Sequence, residues 1–367
     1  MPDFSKDRNF GLDVVRATAI IMVLISHARQ ALMEPDTGLA LTFGGWFGVE
    51  LFFALSGFLI GTILIKLFSR GVTSTSLGRF WFRRWMRTLP AYFFILIFYY
   101  LAFGQIQFSD FLLLQWPINH NQGVVPVSWS LAVEEWFYII FPLVTLISTA
   151  IFKKNGIIVA VAAAIVFPLI SRVYQFNFAY DAAAIRVNPF RFDGMAYGVL
   201  AAYILNINRL ETLLRRCWVG VAVAAITLFL FDFLRYNGTR IGVPLPLHIP
   251  SWHHNVTAYS ISGICSALIV MTFYMRSPSF VGPLETIITY VSKISYSLYL
   301  WHLFIFGIMM KSFSNHKGAL LYFSSIFIAI LLSYIPYALI EVPFMKIRDR
   351  LTASIKQTKN HKVDNSL

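Results

Sequence analysis

The chain has 367 residues, 57% of them hydrophobic and 13% charged, with a formal charge of +13. Soluble domains carry about 25% charged residues, so this balance excludes a water-soluble globular protein and makes membrane lipid the solvent. The basic residues sit in short clusters between apolar runs, which argues against a nucleic-acid partner, and Cys217 and Cys265 have neither disulfide-framework nor metal-ligand spacing.

A helix that crosses the hydrocarbon needs about 20 mostly apolar residues. Such runs predict spans at 10–33, 43–67, 88–104 and 127–151, then at 156–175, 190–207, 214–234, 256–275, 294–312 and 318–341. The first run is too long for a signal-peptide core and lacks a cleavage pattern, so it is expected to remain as a helix. The run 108–116 is short and is expected to be interfacial or re-entrant. The predicted fold class is all-α, a polytopic integral membrane protein of about ten transmembrane helices. It divides into a membrane domain over 1–345 and a polar basic tail over 346–367, with no internal repeat or linker.

Orientation follows from the loops, because cytoplasmic loops retain Lys and Arg. With the N-terminus inside, 21 of the 30 Lys and Arg fall on the cytoplasmic side, and the 105–126 loop has none. Both termini are therefore expected in the cytoplasm.

An ionisable side chain within a span costs about 3 kcal/mol or more, so its default reading is a cavity or pathway. Asp13, Arg16 and His27 lie on the first span, and the 11 residues from Arg16 to His27 make about three turns, or about 16 Å along one face. Glu50, Glu134, Glu135, Arg191, Asp193 and His302 add a polar cluster in the outer half of the bundle. Intramembrane ion pairs that fix helix packing are the plain alternative for each. His27 departs most from that alternative, since imidazole is the side chain best suited to proton transfer near neutral pH. At the other end, Arg84 and Arg87 are three residues apart on one helix face and could hold a phosphate between two guanidinium forks, or serve only as positive-inside anchors. Trp129, Trp136 and Tyr299 are candidate sugar-stacking faces, with interfacial anchoring as the alternative.

Six blocks in order resemble the acyltransferase-3 family of membrane-integral sugar O-acyltransferases over nearly the whole chain. They are Leu12-Asp13-Val14-Val15-Arg16 through Ser26-His27, the run from Phe47 to Ile60 around Glu50, and Arg83-Arg84-Trp85-Met86-Arg87-Thr88-Leu89-Pro90. Ser128 to Tyr138 around Glu134-Glu135, Arg191-Phe192-Asp193-Gly194, and Ser295 to His302 complete the set. The resemblance implies ten helices, an acyl-CoA donor reached from the cytoplasm, a carbohydrate acceptor on the other face and a bacterial inner membrane. It makes the pair matched by Arg16 and His27 essential and matches the Arg-x-x-Arg pattern to Arg84 and Arg87. Glu50 stands where many members have Asp, and Trp136 where many have Gln.

On that reading, Arg16, Arg83, Arg84 and Arg87 hold the donor's nucleotide phosphates. His27, oriented by Glu50, is the base on the acceptor hydroxyl, and Glu134, Glu135, Arg191, Asp193, Trp129 and His302 position the acceptor or stabilise charge. No permanently bound cofactor and no metal are expected; acyl-CoA, by default acetyl-CoA, is a donor substrate. The esterase-like domain that follows the helices in some members is not expected here, which leaves room for a separate periplasmic partner. The competing class is a proton-coupled transporter or flippase of a glycan or small metabolite, for which buried His and Glu would form a relay.

Overall fold

The computed structural model describes residues 8–33, 41–104, 106–114, 123–178, 191–237, 256–279, 282–313 and 318–352, and among these no strand occurs. Among the described residues, ten helices overlap the ten predicted spans. They are α1 (Phe10–Leu32), α2 (Thr42–Ser69), α3 (Ser74–Phe103), α4 (Ser128–Phe152), α5 (Gly156–Phe178), α6 (Asp193–Leu205), α7 (Trp218–Asn237), α8 (Ala258–Met275), α9 (Pro283–Ser312) and α10 (Ala319–Thr352). Among the described residues, eight continuous stretches are long and apolar enough to cross a membrane. One of them, Ser128–Asn177, contains both α4 and α5, joined by the short turn Lys153–Asn155, and α6 is a shorter apolar helix. The chain is thus an all-α, multi-pass membrane protein.

Local chemistry sets several ends. Asn9 caps α1 by accepting from the Leu12 N–H, and Thr73 and Ser76 cap α3 reciprocally, which ties up N–H groups that would otherwise point into a poorly hydrated interface. Gly104, at φ +68°, closes α3 in a left-handed turn that favours glycine. Two helices begin earlier than hydropathy predicts: α3 at Ser74 and α9 at Pro283. Their N-terminal halves carry the charged residues that lower mean hydropathy, Arg79, Arg83, Arg84 and Arg87 in α3 and Glu285 and Lys293 in α9, yet helix continuity satisfies the backbone whether lipid or headgroup surrounds it. Of the 108–116 run, residues 108–114 contain the single turn Phe108–Phe111, tied down by Tyr92 Oη donating to the Asp110 carbonyl at 2.7 Å and Trp136 Nε1 donating to the Leu113 carbonyl at 3.1 Å, and residues 115–116 lie outside the described set. The helical part of the predicted tail runs on to Thr352 without a break, and residues 353–367 lie outside the described set.

The centre is built by α1, α2, α6, α8 and α9. Helix α6 is buried along most of its length, and α2 lies against it at backbone contact. A Cβ on Gly57 would sit 1.9 Å from the Met195 carbonyl oxygen, and one on Gly198 would sit 2.1 Å from that of Ala54. Small residues at such a crossing let van der Waals contact replace the hydrophobic drive that lipid removes. The outer surface is apolar, with Leu101, Leu320 and Phe323 all well exposed, as a lipid-facing surface requires.

Candidate active site

Two polar clusters occupy opposite ends of the bundle, and a cavity extends from one toward the other. At the first end, the start of α1 brings Asp13 against Arg8, against the Ser292 hydroxyl at 2.7 Å and within 3.6 Å of Arg16. Arg84 on α3 donates to Glu134 at 3.2 Å and to the Tyr138 hydroxyl, and its guanidinium lies over the Tyr138 ring at 4.2 Å. Glu134 also accepts from Ser56 at 2.7 Å, and Glu135 accepts from Thr88 at 2.7 Å. Arg87 makes no hydrogen bond or ion pair among the described residues; Glu341 is the carboxylate whose charge acts on it. Glu341 is the last residue of the π-helical segment Tyr337–Glu341 and accepts from Ser297. π-Helical turns insert one residue into a helix and recur at functional sites.

Arg16, Arg84 and Arg87 all line a cavity of about 100 Å³. Its walls continue past Ser56, Thr88, Glu134 and Tyr296 to Phe52, Ser130 and Tyr299. Arg16 and Arg87 are close enough to repel one another, and Glu134 is the carboxylate in the lining. Within the lining three guanidiniums stand beside one carboxylate, while Asp13 on Arg16 and Glu341 acting on Arg87 balance charge from outside it, so an anion entering the space would meet guanidinium forks able to bind it. Arg83 is not part of this group. It is half-exposed and turns outward to Thr352 and Asp349, so it is not brought to the cavity with the other three arginines.

The histidines do not line the cavity, but its wall at Tyr299 lies beside them, with the Tyr299 and His302 rings 5.9 Å apart. Ser130 and Tyr299 share a 2.6 Å hydrogen bond, and His302 lies three residues, about one turn, beyond Tyr299 on α9. His302 is fully buried, and its Nε2 stands 2.7 Å from His27 Nδ1 with the two rings nearly coplanar. His27 is half-buried. The expected partnership of His27 with Glu50 is therefore corrected: the described partner of His27 is His302.

Glu50 is instead buried against Arg191. The Arg191 guanidinium lies 3.9 Å from the Tyr259 ring centre, with Trp46, Phe53 and Trp129 also around it. Asp193 is held by Arg172 through two hydrogen bonds, at 3.2 and 2.7 Å, and by Ser260. A third buried pair, Asp232 with Arg235, receives the Ser262 hydroxyl, and Ser262 in turn accepts from Trp46 Nε1 at 3.0 Å. Of the residues expected to hold the acceptor, Arg191 and Asp193 are thus engaged in ion pairs, and Glu134 and Glu135 face Arg84 and Thr88 rather than His27. Trp129 packs edge-on against Phe53. Sequence reasoning did not single out Ser130, Tyr138, Arg172, Tyr296 or Glu341. Arg172 and Glu341, charged residues inside apolar runs, carried the same signal that flagged the others.

The family's acyltransferase domain matches residues 9–338. The chain is 27% identical over 374 residues to the O-acetyltransferase OatA of Staphylococcus aureus strain NCTC 8325 / PS 47, with 92% of this chain and 57% of that protein covered. The same protein from strain COL matches with the same identity and coverage. The chain therefore spans little more than half the length of the curated relatives it matches. No solved structure matches it. A domain match over almost the full described bundle, embracing both the arginine-lined cavity and the paired histidines, means that the chain belongs to the acyltransferase-3 family.

Proposed function

We propose that this protein is a membrane O-acetyltransferase that takes its acyl group from acyl-CoA at the arginine-rich, cytoplasmic end and passes it to a carbohydrate hydroxyl near the histidine end. The observation that carries this reading is the cavity whose mouth is lined by Arg16, Arg84 and Arg87 and whose deep wall, at Ser130 and Tyr299, lies one helical turn from the His302–His27 pair. The donor has matching parts: an anionic phosphate head, a thin flexible arm and a terminal thioester. Arg16 and Arg87 hold the phosphates, while Arg84, already paired with Glu134, keeps the wall in shape. The thioester carbonyl reaches the neighbourhood of Tyr299. His27 takes the proton of the acceptor hydroxyl as the new C–O bond forms and the C–S bond breaks, and that proton then passes to the departing thiolate, giving CoA and the acyl ester. An acetyl group suits the O-acetyltransferase relatives the chain resembles, and a bacterial inner membrane suits the family and the charge asymmetry.

The test is transfer itself. Membranes containing the protein are incubated with acetyl-labelled acetyl-CoA and the envelope glycans are recovered. Label that mild alkali releases, present with the wild type and absent with His27→Gln at equal expression, is the expected result. Label that is equal in both overturns the role given to His27; label absent with every glycan fraction while acetyl-CoA stays intact overturns the reading and returns the transporter class to first place.

A further inference from the structure

We infer that His302 is a positioning residue that fixes the tautomer of His27, leaving Nε2 of His27 as the one ring nitrogen with a free lone pair. The chain of reasoning begins at the backbone. His302 Nδ1 lies 2.7 Å from the Tyr299 carbonyl oxygen and 3.1 Å from that of Leu298. Carbonyl oxygens only accept, so Nδ1 of His302 carries the hydrogen. A second proton on this ring would place an imidazolium in a fully buried site with no carboxylate among its contacts, which an apolar interior resists. His302 Nε2 is therefore an acceptor. The 2.7 Å contact then has one consistent assignment, with His27 Nδ1–H as the donor. The nearly coplanar rings, 2° apart, put that N–H on the in-plane lone pair of Nε2. A neutral His27 protonated on Nδ1 has its remaining lone pair on Nε2.

The surroundings of Nε2 agree with a working role. It faces α2 at Gly45, where an added Cβ would come within 3.9 Å of it, so the facing residue presents no side chain. His27 is half-buried whereas His302 is sealed. The arrangement has the logic of a base oriented by a third group, with a backbone carbonyl pair and a second imidazole standing where a carboxylate is more usual. It also frees Glu50 to neutralise Arg191.

The inference adds a residue to the catalytic reading above, but its first test does not depend on that reading. Protein labelled with ¹⁵N-histidine in nanodiscs is examined by NMR, and the His27 resonances are identified by their loss in His27→Gln. Wild-type His27 is expected to be protonated at Nδ1 and bare at Nε2. His302→Leu, which offers no acceptor, is expected to give a mixture of tautomers, and His302→Gln, whose side-chain oxygen can still accept, to retain the wild-type form. In the transfer assay His302→Leu is expected to lower kcat by about 10–100-fold with the KM for the acyl donor unchanged, and His302→Gln to recover most of it. A wild-type His27 protonated at Nε2, or a His27 tautomer that His302→Leu leaves untouched, overturns the inference. If the tautomers are as expected but turnover does not need His27, the role of His27 as the base fails and the tautomer assignment stands. The thermal midpoint of each variant, measured alongside, separates a misfolded protein from a mispositioned base.

Discussion

Arg83, Arg84 and Arg87 are one cluster in the sequence and three different residues in the structure. Arg84 is matched to Glu134 and Tyr138, Arg83 is turned toward the end of α10, and Arg87 lines the cavity with no direct partner among the described residues. A guanidinium without a hydrogen-bonded counter-charge gains most from an incoming phosphate. Arg87→Ala is therefore expected to raise the KM for acyl-CoA by about 10-fold or more, the loss of roughly 1.5–3 kcal/mol for a charged hydrogen bond, whereas Arg83→Ala leaves it within about twofold; initial-rate kinetics on both variants check this. Glu50 and Arg191 form a second pair whose role is decided at this scale. Arg191→Met leaves Glu50 buried and uncompensated, at a cost of about 3–5 kcal/mol. The double replacement with Glu50→Met is expected to restore most of the thermal stability and to retain transfer, as befits a packing pair. Loss of transfer in a stable double variant would return Glu50 to the chemistry.

Helix α2 carries residues of both clusters on one rod, and its fit against α6 depends on glycines. Gly57→Ala would drive a methyl group into the Met195 carbonyl, so the two helices must separate, at an expected cost of about 1–3 kcal/mol. Thermal unfolding in detergent is expected to show a lower midpoint than the wild type, while alanine at Gly78, inside α3 with nothing within 4 Å, leaves it the same or slightly higher, since alanine is the better helix former by up to about 1 kcal/mol. Most of the helical framework was legible in the sequence because hydropathy reports directly on a helix's need for lipid. The pairings were less so. Depth along a helix follows from counting residues, which placed Glu50 level with His27, but the partner of each charge depends on how neighbouring helices are rotated. His27 and His302 are 275 residues apart, and nothing in local pattern joins them. The π-helical turn that ends at Glu341 likewise left no trace in a hydropathy profile, since it changes the direction of a side chain and not its polarity.

For the molecule as a whole, the asymmetry of charge gives the bundle a direction. The Lys- and Arg-rich ends of the helices gather on one side, where the cavity's arginines also lie, and positive-inside retention predicts that this side faces the cytoplasm. Cys217 offers a natural reporter: it is exposed beside Arg215 and Arg216, while Cys265 is buried. A membrane-impermeant maleimide is expected to label Cys217 in inverted vesicles and not in intact spheroplasts; the reverse pattern would turn the donor site outward and remove acyl-CoA from consideration. With the direction settled, the division of labour between the two ends can be measured in a single purified preparation, by acetyl-CoA binding and CoA release for wild type, Arg87→Ala and His27→Gln. The expected result is that Arg87→Ala binds acetyl-CoA weakly, while His27→Gln binds it as the wild type does and releases CoA at least about 100-fold more slowly in the presence of an acceptor glycan. Wild-type turnover in His27→Gln, or undiminished binding in Arg87→Ala, would contradict a donor site at one end serving a histidine base at the other.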